Sequence, residues 1–156
     1  MRLESERLWL YPITDDEMRA LAESEPDPEL RQAYREMYEG CLGEPDRRLW
    51  HVLWYMELKD EPGVVVGDLG FKGLSADGMV EIGYGLREGW CSKGYMSEAV
   101  AALVSWALAQ PHVTRVEAET AADNVASQRV LARVGFEASG ETGEEGPRYV
   151  FRPRAR

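Results

Sequence analysis

The chain has 156 residues, the size of one domain, with 44% hydrophobic and 29% charged residues. That composition excludes a disordered tail, a collagen-like chain and a disulfide scaffold. A formal net charge of −10 argues against nucleic-acid binding, which needs a basic footprint. Cys41 and Cys91 cannot build a disulfide framework, and His51 and His112 lie too far apart to suggest a His-based metal site. The longest mostly apolar stretch, Ala99 to Ala109, is too short to span a bilayer. A cytoplasmic protein with no membrane or nucleic-acid partner is expected. It would act alone or as a homodimer.

Arg7–Tyr11 alternates and stops at Pro12, as a short strand does. Thr14 or Asp15 can cap a helix through Met18 and Leu21, which Pro26 and Pro28 break. Leu30, Ala33, Tyr34, Met37 and Tyr38 then recur at helical spacing, ending at Gly40 and Gly43. Leu49–Leu58, Val64–Phe71 and Met79–Leu86 read as strands, the last two joined by a turn at Ala76-Asp77-Gly78. Met96, Ala99, Val100, Leu103, Val104, Ala107 and Leu108 form the apolar stripe of the clearest helix. Arg115–Thr120 is a short strand, and Asp123 or Asn124 caps a helix closed by Gly135. Phe136–Ala138 and Tyr149–Arg152 read as strands around a mobile-looking Gly140–Pro147 loop. Arg152, Arg154 and Arg156 read as a solvated basic tail. The order predicts one α+β (mixed α/β) domain over residues 1–156, with a mostly antiparallel sheet of about seven strands. Residues 79–120 form its right-handed crossover.

Residues 87–98, REGWCSKGYMSE, join a strand to the start of the amphipathic helix. The first helical turn carries N–H groups without intrahelical partners and the positive end of the macrodipole, which suit a phosphate. Gly94 permits close approach, and Ser92, Lys93 and Ser97 add donors. Neither GxxxxGK[ST] nor GxGxxG is present. An ordinary loop and helix cap would look the same. In the preceding strand Glu81, Gly83, Gly85 and Arg87 share one face. Two glycines there suggest a bulge or the close approach of a ligand, or a neighbouring side chain filling the space.

WCSKGYMSEAVAALVSWAL followed by RVEAETAADNVASQRVLARVGF resembles the acetyl-CoA-binding half of the GNAT N-acetyltransferase superfamily. The branch it most resembles acetylates ribosomal-protein N-termini, whose opening strand is similar to ESERLWLYP. The resemblance implies the acyl-CoA N-acyltransferase fold, helices on both faces of the sheet, and acetyl-CoA as co-substrate. The family's Gln/Arg-x-x-Gly-x-Gly/Ala signature falls on Cys91 to Met96, with Gly94 matching and Cys91 and Met96 departing. The implied cofactor contacts are Tyr84, Gly85 and Leu86 along the pantetheine arm, and Ser92, Lys93, Gly94, Tyr95, Met96 and Ser97 around the pyrophosphate. Asn124 would lie near the thioester and also serve as an N-cap.

The resemblance implies direct acetyl transfer to an amine. A backbone N–H near Leu86 would stabilise the oxyanion. The tyrosine acid of many relatives is replaced by Leu131. Glu81 is the first candidate base, and an exposed strand carboxylate is the alternative reading; Glu57 and Glu119 follow. Cys91 has no histidine nearby in sequence to activate it and reads as structural. The segment Asp15–Asp46 carries eleven acids against three arginines, which would attract a cationic acceptor or simply solvate the helices. A non-catalytic acyl-CoA-binding domain is the competing reading.

Overall fold

A computed structural model describes residues 1–153. Eight strands form one sheet in the order β1-β2-β3-β4-β5-β6-β8-β7. They are β1 (Leu3–Glu4), β2 (Leu8–Pro12), β3 (Leu53–Leu58), β4 (Val65–Leu74), β5 (Met79–Leu86), β6 (Arg115–Glu119), β7 (Glu137–Thr142) and β8 (Pro147–Phe151). Every pairing is antiparallel except β5 with β6, which the helix α3 (Tyr95–Leu108) connects. The mixed α/β architecture agrees with the sequence reading. The count is eight rather than about seven because the chain pairs briefly at Leu3–Glu4 before Leu8.

The helix α1 (Asp15–Ser24) begins at a capping box, with the Thr14 hydroxyl accepting from the Glu17 N–H and the Glu17 carboxylate accepting from Thr14. Asp27 caps α2 (Pro28–Gly43), where Pro28 stands in the first turn. Asn124 caps α4 (Val125–Val134), and Gly135 ends it at φ 115°. Two expectations need correction. Leu49 and Trp50 close a 3-10 helix (Pro45–Trp50) started by Pro45, so β3 begins only at Leu53. Of the expected Gly140–Pro147 loop, Gly140, Glu141 and Thr142 lie in β7, which is exposed along its whole length, and Pro147 opens β8. Arg154 and Arg156 of the expected tail lie outside the described residues.

The stripe Met96, Ala99, Val100, Leu103, Val104 and Ala107 buries α3 against one face of the sheet. Trp106 extends it, stacking 5.3 Å from Trp54 and 5.1 Å from Trp50. The other face carries α1 and α2: a side chain on Gly70 would meet Met37 of α2 at 3.6 Å. Among the described residues no helix is long and apolar enough to cross a membrane.

Candidate active site

The sheet opens in its middle. The last pair between β5 and β6 is Glu81 with Glu117, yet β5 runs on to Leu86. Beyond it β6 keeps only its other neighbour, β8, with which it pairs from Val116 opposite Phe151 to Glu119 opposite Arg148. Arg87 donates to the Val66 carbonyl at 2.9 Å, and Gly85 stands opposite Asp68. The alternation of an antiparallel ladder therefore turns the N–H and C=O groups of Tyr84 and Leu86 into the gap. Open main-chain groups between diverging strands can bind an extended amide-containing chain by strand-like pairing. Asn124 and Ser127 stand at the far rim. The Tyr84 hydroxyl bonds the Ser127 carbonyl at 3.2 Å and its hydroxyl at 2.9 Å, while Asn124 accepts from the Ser127 N–H at 3.0 Å.

The loop after β5 ends at Gly94, which caps α3 in the left-handed region (φ 79°) without a side-chain cap. The first-turn N–H groups of Tyr95, Met96 and Ser97 are thus open donors for an anion. Ser92 also adopts positive φ, 63°, and Ser92 and Lys93 are exposed. The Met96 side chain is buried, so it belongs to the core and only its backbone faces the loop. Arg7 braces the loop from β2's approach, donating to the Lys93 carbonyl at 3.0 Å and lying 4.2 Å from the Tyr95 ring centre. Cys91 is exposed and free.

On the α1–α2 side the gap widens into a cleft of about 840 Å³. Its floor contains Gly83 and Gly85: added Cβ atoms would find nothing nearer than Lys72 Cε at 4.0 Å and Asp68 Oδ1 at 3.9 Å. No neighbouring side chain fills the space, and the two glycines leave the floor open. Glu81 lies in the cleft wall, with one carboxylate oxygen 2.9 Å from Lys72 Nζ and the other 3.0 Å from Arg148 Nη1. Arg148 also holds Glu119 at 2.8 Å and Glu117 at 3.0 Å. Hydrogen bonds from the Glu145 N–H and Arg148 keep the Glu119 carboxyl below its usual range. Glu57 accepts from the Tyr11 hydroxyl at 2.9 Å and does not line the cleft. Leu131 is fully buried and cannot reach the cleft.

Sequence reasoning set Arg87 on the face of Glu81 without giving it a role, and missed Asp68, Tyr34 and Arg148. Asp68 lines the cleft and is half-buried, and desolvation pushes its carboxyl up to about 6 against the opposing pull of Arg87. Burial likewise raises Tyr34, to about 12. The run Gly67-Asp68-Leu69-Gly70 was the available signal: a carboxylate between glycines on a strand facing two more glycines.

Open strand groups beside an uncapped helix start can take up an extended chain with an anionic end, and the adjoining cleft is walled by carboxylates. The sequence matches the acetyltransferase (GNAT) domain family over residues 7–137, and the chain belongs to that family. It is 38% identical over 84 residues to YjdG, an uncharacterised N-acetyltransferase of Bacillus subtilis, covering 53% of this chain and 49% of that one. YoaA, another uncharacterised N-acetyltransferase of Bacillus subtilis, is 28% identical over 149 residues, 88% of this chain and 84% of that one. The match with YjdG thus spans about half of that relative's length. The fold is shared with RimL, a ribosomal-protein alpha-N-acetyltransferase solved in complex with coenzyme A (TM-score 0.73, 20% identity, 97% of this chain and 98% of that one).

Proposed function

We propose that this chain is an acetyl-CoA-dependent N-acetyltransferase that moves an acetyl group directly to a primary amine, either a protein N-terminus or a small cationic amine. The observation that carries this reading is the divergence of β5 from β6 after Glu81, which leaves the main chain of Tyr84 and Leu86 open beside the α3 N-terminus. Family membership supplies the ligand that such a gap suits. The pantetheine arm would pair with Tyr84–Leu86. Its pyrophosphate would lie on the N–H groups of Tyr95 to Ser97, with Gly94 giving access and Ser92 and Lys93 adding donors. Asn124 would stand near the thioester.

Acetyl-CoA supplies an acyl carbon activated by a thiol leaving group. The Leu86 N–H faces the place where the oxyanion forms, so it would stabilise that charge without reorganising. A thiol with a pKa near 8.5 leaves with little assistance, so the absence of a tyrosine at position 131 is tolerable (a general acid contributes about 10²- to 10⁴-fold). Glu36 and Glu145, which line the cleft and make no salt bridge among the described residues, favour an acceptor that arrives as a cation.

The burial of Leu131 keeps a second reading alive: an acyl-CoA-binding domain without turnover. Thiol release from acetyl-CoA across a library of amines and peptide N-termini separates the two. Amine-dependent release with a matching acetylated product is expected. Tight coenzyme A binding with no amine-dependent release would replace the enzyme by a sensor.

A further inference from the structure

The geometry points to Asp68 as the group that takes the proton from the acceptor amine. This rests on the acetyl-transfer reading and assigns its base.

A base needs a free lone pair aimed at the reacting nitrogen, and the carboxylates around the site differ in that respect. Glu81 has a cation on each oxygen, Glu119 is held by Arg148 and the Glu145 N–H, and Glu57 is bonded to Tyr11 outside the cleft. Among the described residues Asp68 makes no hydrogen bond and no ion pair. Its place is also right. Asp68 stands opposite Gly85 on the cleft face, with Oδ1 3.9 Å from where a Gly85 side chain would begin. It is therefore one residue from Leu86, whose N–H turns toward the acyl group.

The groups around it set its proton affinity. Arg87 approaches from the end of β5, Tyr55 from β3 and Tyr34 from α2, with the Lys72–Glu81 pair further along the wall. Burial outweighs Arg87 and holds the carboxyl near 6. A base of that strength is ionised at neutral pH yet still attracts an ammonium proton.

The step balances. Asp68 removes one proton from the ammonium, and the freed nitrogen pair attacks the thioester carbon. The C–S bond breaks as the tetrahedral adduct collapses. The nitrogen's second proton leaves for the coenzyme A thiolate or water, and Asp68 later returns its own proton to solvent.

The test measures kcat/KM for an accepted amine against pH, at saturating acetyl-CoA, in wild type, Asp68→Asn, Asp68→Glu and Glu81→Gln. Wild type should show an acid limb near 6. Asp68→Asn should lose about 10²- to 10⁴-fold and climb with pH toward the amine's own pKa, with coenzyme A affinity unchanged. Asp68→Glu should restore part of the rate, and Glu81→Gln should keep the acid limb. An Asp68→Asn enzyme within threefold of wild type, or an acid limb abolished by Glu81→Gln instead, would overturn the assignment. Should Asp68→Asn fail to fold, Asp68→Glu decides: a rate and an acid limb both unchanged from wild type would remove Asp68. A wild type that acetylates no amine in the library overturns the parent reading, and Asp68 with it.

Discussion

Arg7 and Glu98 are joined twice across 91 residues of sequence: the Arg7 backbone N–H donates to Oε1 at 2.9 Å, and its Nε donates to Oε2 at 3.2 Å. This ties the approach to β2 to the first turn of α3. The same guanidinium holds the Lys93 carbonyl, so the bond extends into the loop assigned to the pyrophosphate. Replacing Arg7 by Ala should raise KM for acetyl-CoA about tenfold, an effect of about 1.4 kcal/mol, and leave kcat within about twofold. Arg7→Lys should not rescue it, because an ammonium lacks the planar fork. Calorimetric coenzyme A titration and acetyl-CoA kinetics check this, and a kcat loss at constant KM would contradict it.

Gly94 offers a sharper test of the same loop. A valine there would be held in the left-handed region at a strain of about 1–2 kcal/mol, and its branches would stand over the open N–H groups. Its Cβ would meet only Arg7 Nη2, at 3.3 Å, so the core is untouched. Gly94→Val should fold, with a lower Tm, and bind coenzyme A more than tenfold more weakly. Unchanged affinity in the folded variant would remove this loop from the site.

The shape of this loop, a left-handed Gly94 ahead of a helix start, was legible in the sequence because both features are written locally. The cleft face was harder to read. Counting back from the turn through Leu74 opposite Val80 would set Asp68 opposite Leu86, on the α3 face of the sheet. The register slips by one residue between Phe71 and Leu74, around Gly73 at φ 81°, and Asp68 instead stands beside Gly85 on the cleft face. A single bulge reverses the face of every residue behind it, and Gly73, the one local sign of it, does not by itself fix the register. Glu81 was placed correctly on the glycine face. Its partner Arg148 arrives from β8, 67 positions later, a distance over which side-chain contacts are invisible without the fold.

Arg148 should be the most consequential charge in the cleft. It touches Glu81, Glu117 and Glu119, each largely shielded from solvent, and the neighbouring Arg115 and Lys72 balance only part of that charge. Arg148→Met should destabilise the protein by about 2–4 kcal/mol at neutral pH, since Glu119 loses its cation while Glu81 and Glu117 keep only one each, Lys72 and Arg115. The folded carboxyls of Glu117 and Glu119 lie below the ordinary glutamate value of 4.5. Their contribution is therefore complete above that value and lost as pH falls through the lower folded values. Wild-type Tm should drop on acidification below about pH 4.5. Arg148→Met should lose less over the same range, because protonation then relieves repulsion. Parallel Tm curves for the two proteins would refute the network's role.

Asp68 runs with the opposite sign. Its folded carboxyl is raised from the usual 3.8 to about 6, so ionising it in place opposes folding. The penalty is absent below about pH 4, grows through the interval, and is complete above pH 6, reaching at most about 3 kcal/mol. Asp68→Asn removes the charge while keeping the shape. Its Tm should exceed that of wild type at pH 8, and the gap should shrink toward zero at pH 4. A stabilised but slowed variant is what a buried functional carboxylate gives. Asp68→Asn less stable than wild type at pH 8 would show that the ionised carboxylate is compensated after all.

The acceptor's charge is open to a direct test, and the structure narrows which acids matter. Of the eleven acids between Asp15 and Asp46, several have local duties. Asp15 pairs with Arg48, Asp16 with Arg19 and Glu44 with His51, while Glu17 and Asp27 cap helices. Glu36 of α2 is different, since it lines the cleft across from Glu145 and the Glu81 wall. A negative rim of this kind concentrates cations and speeds encounter, but does not touch the chemistry once the complex has formed. For a cationic amine, kcat/KM should fall several-fold as ionic strength rises from about 0.05 to 0.5 M, where the screening length shrinks from over 10 Å to about 4 Å. The kcat should hold steady. Glu36→Gln with Glu145→Gln should lower kcat/KM at low salt and flatten its salt dependence, whereas Glu23→Gln, away from the cleft lining, should do neither. A flat salt response in wild type would mean that the acids between Asp15 and Asp46 serve only to solvate and cap their helices.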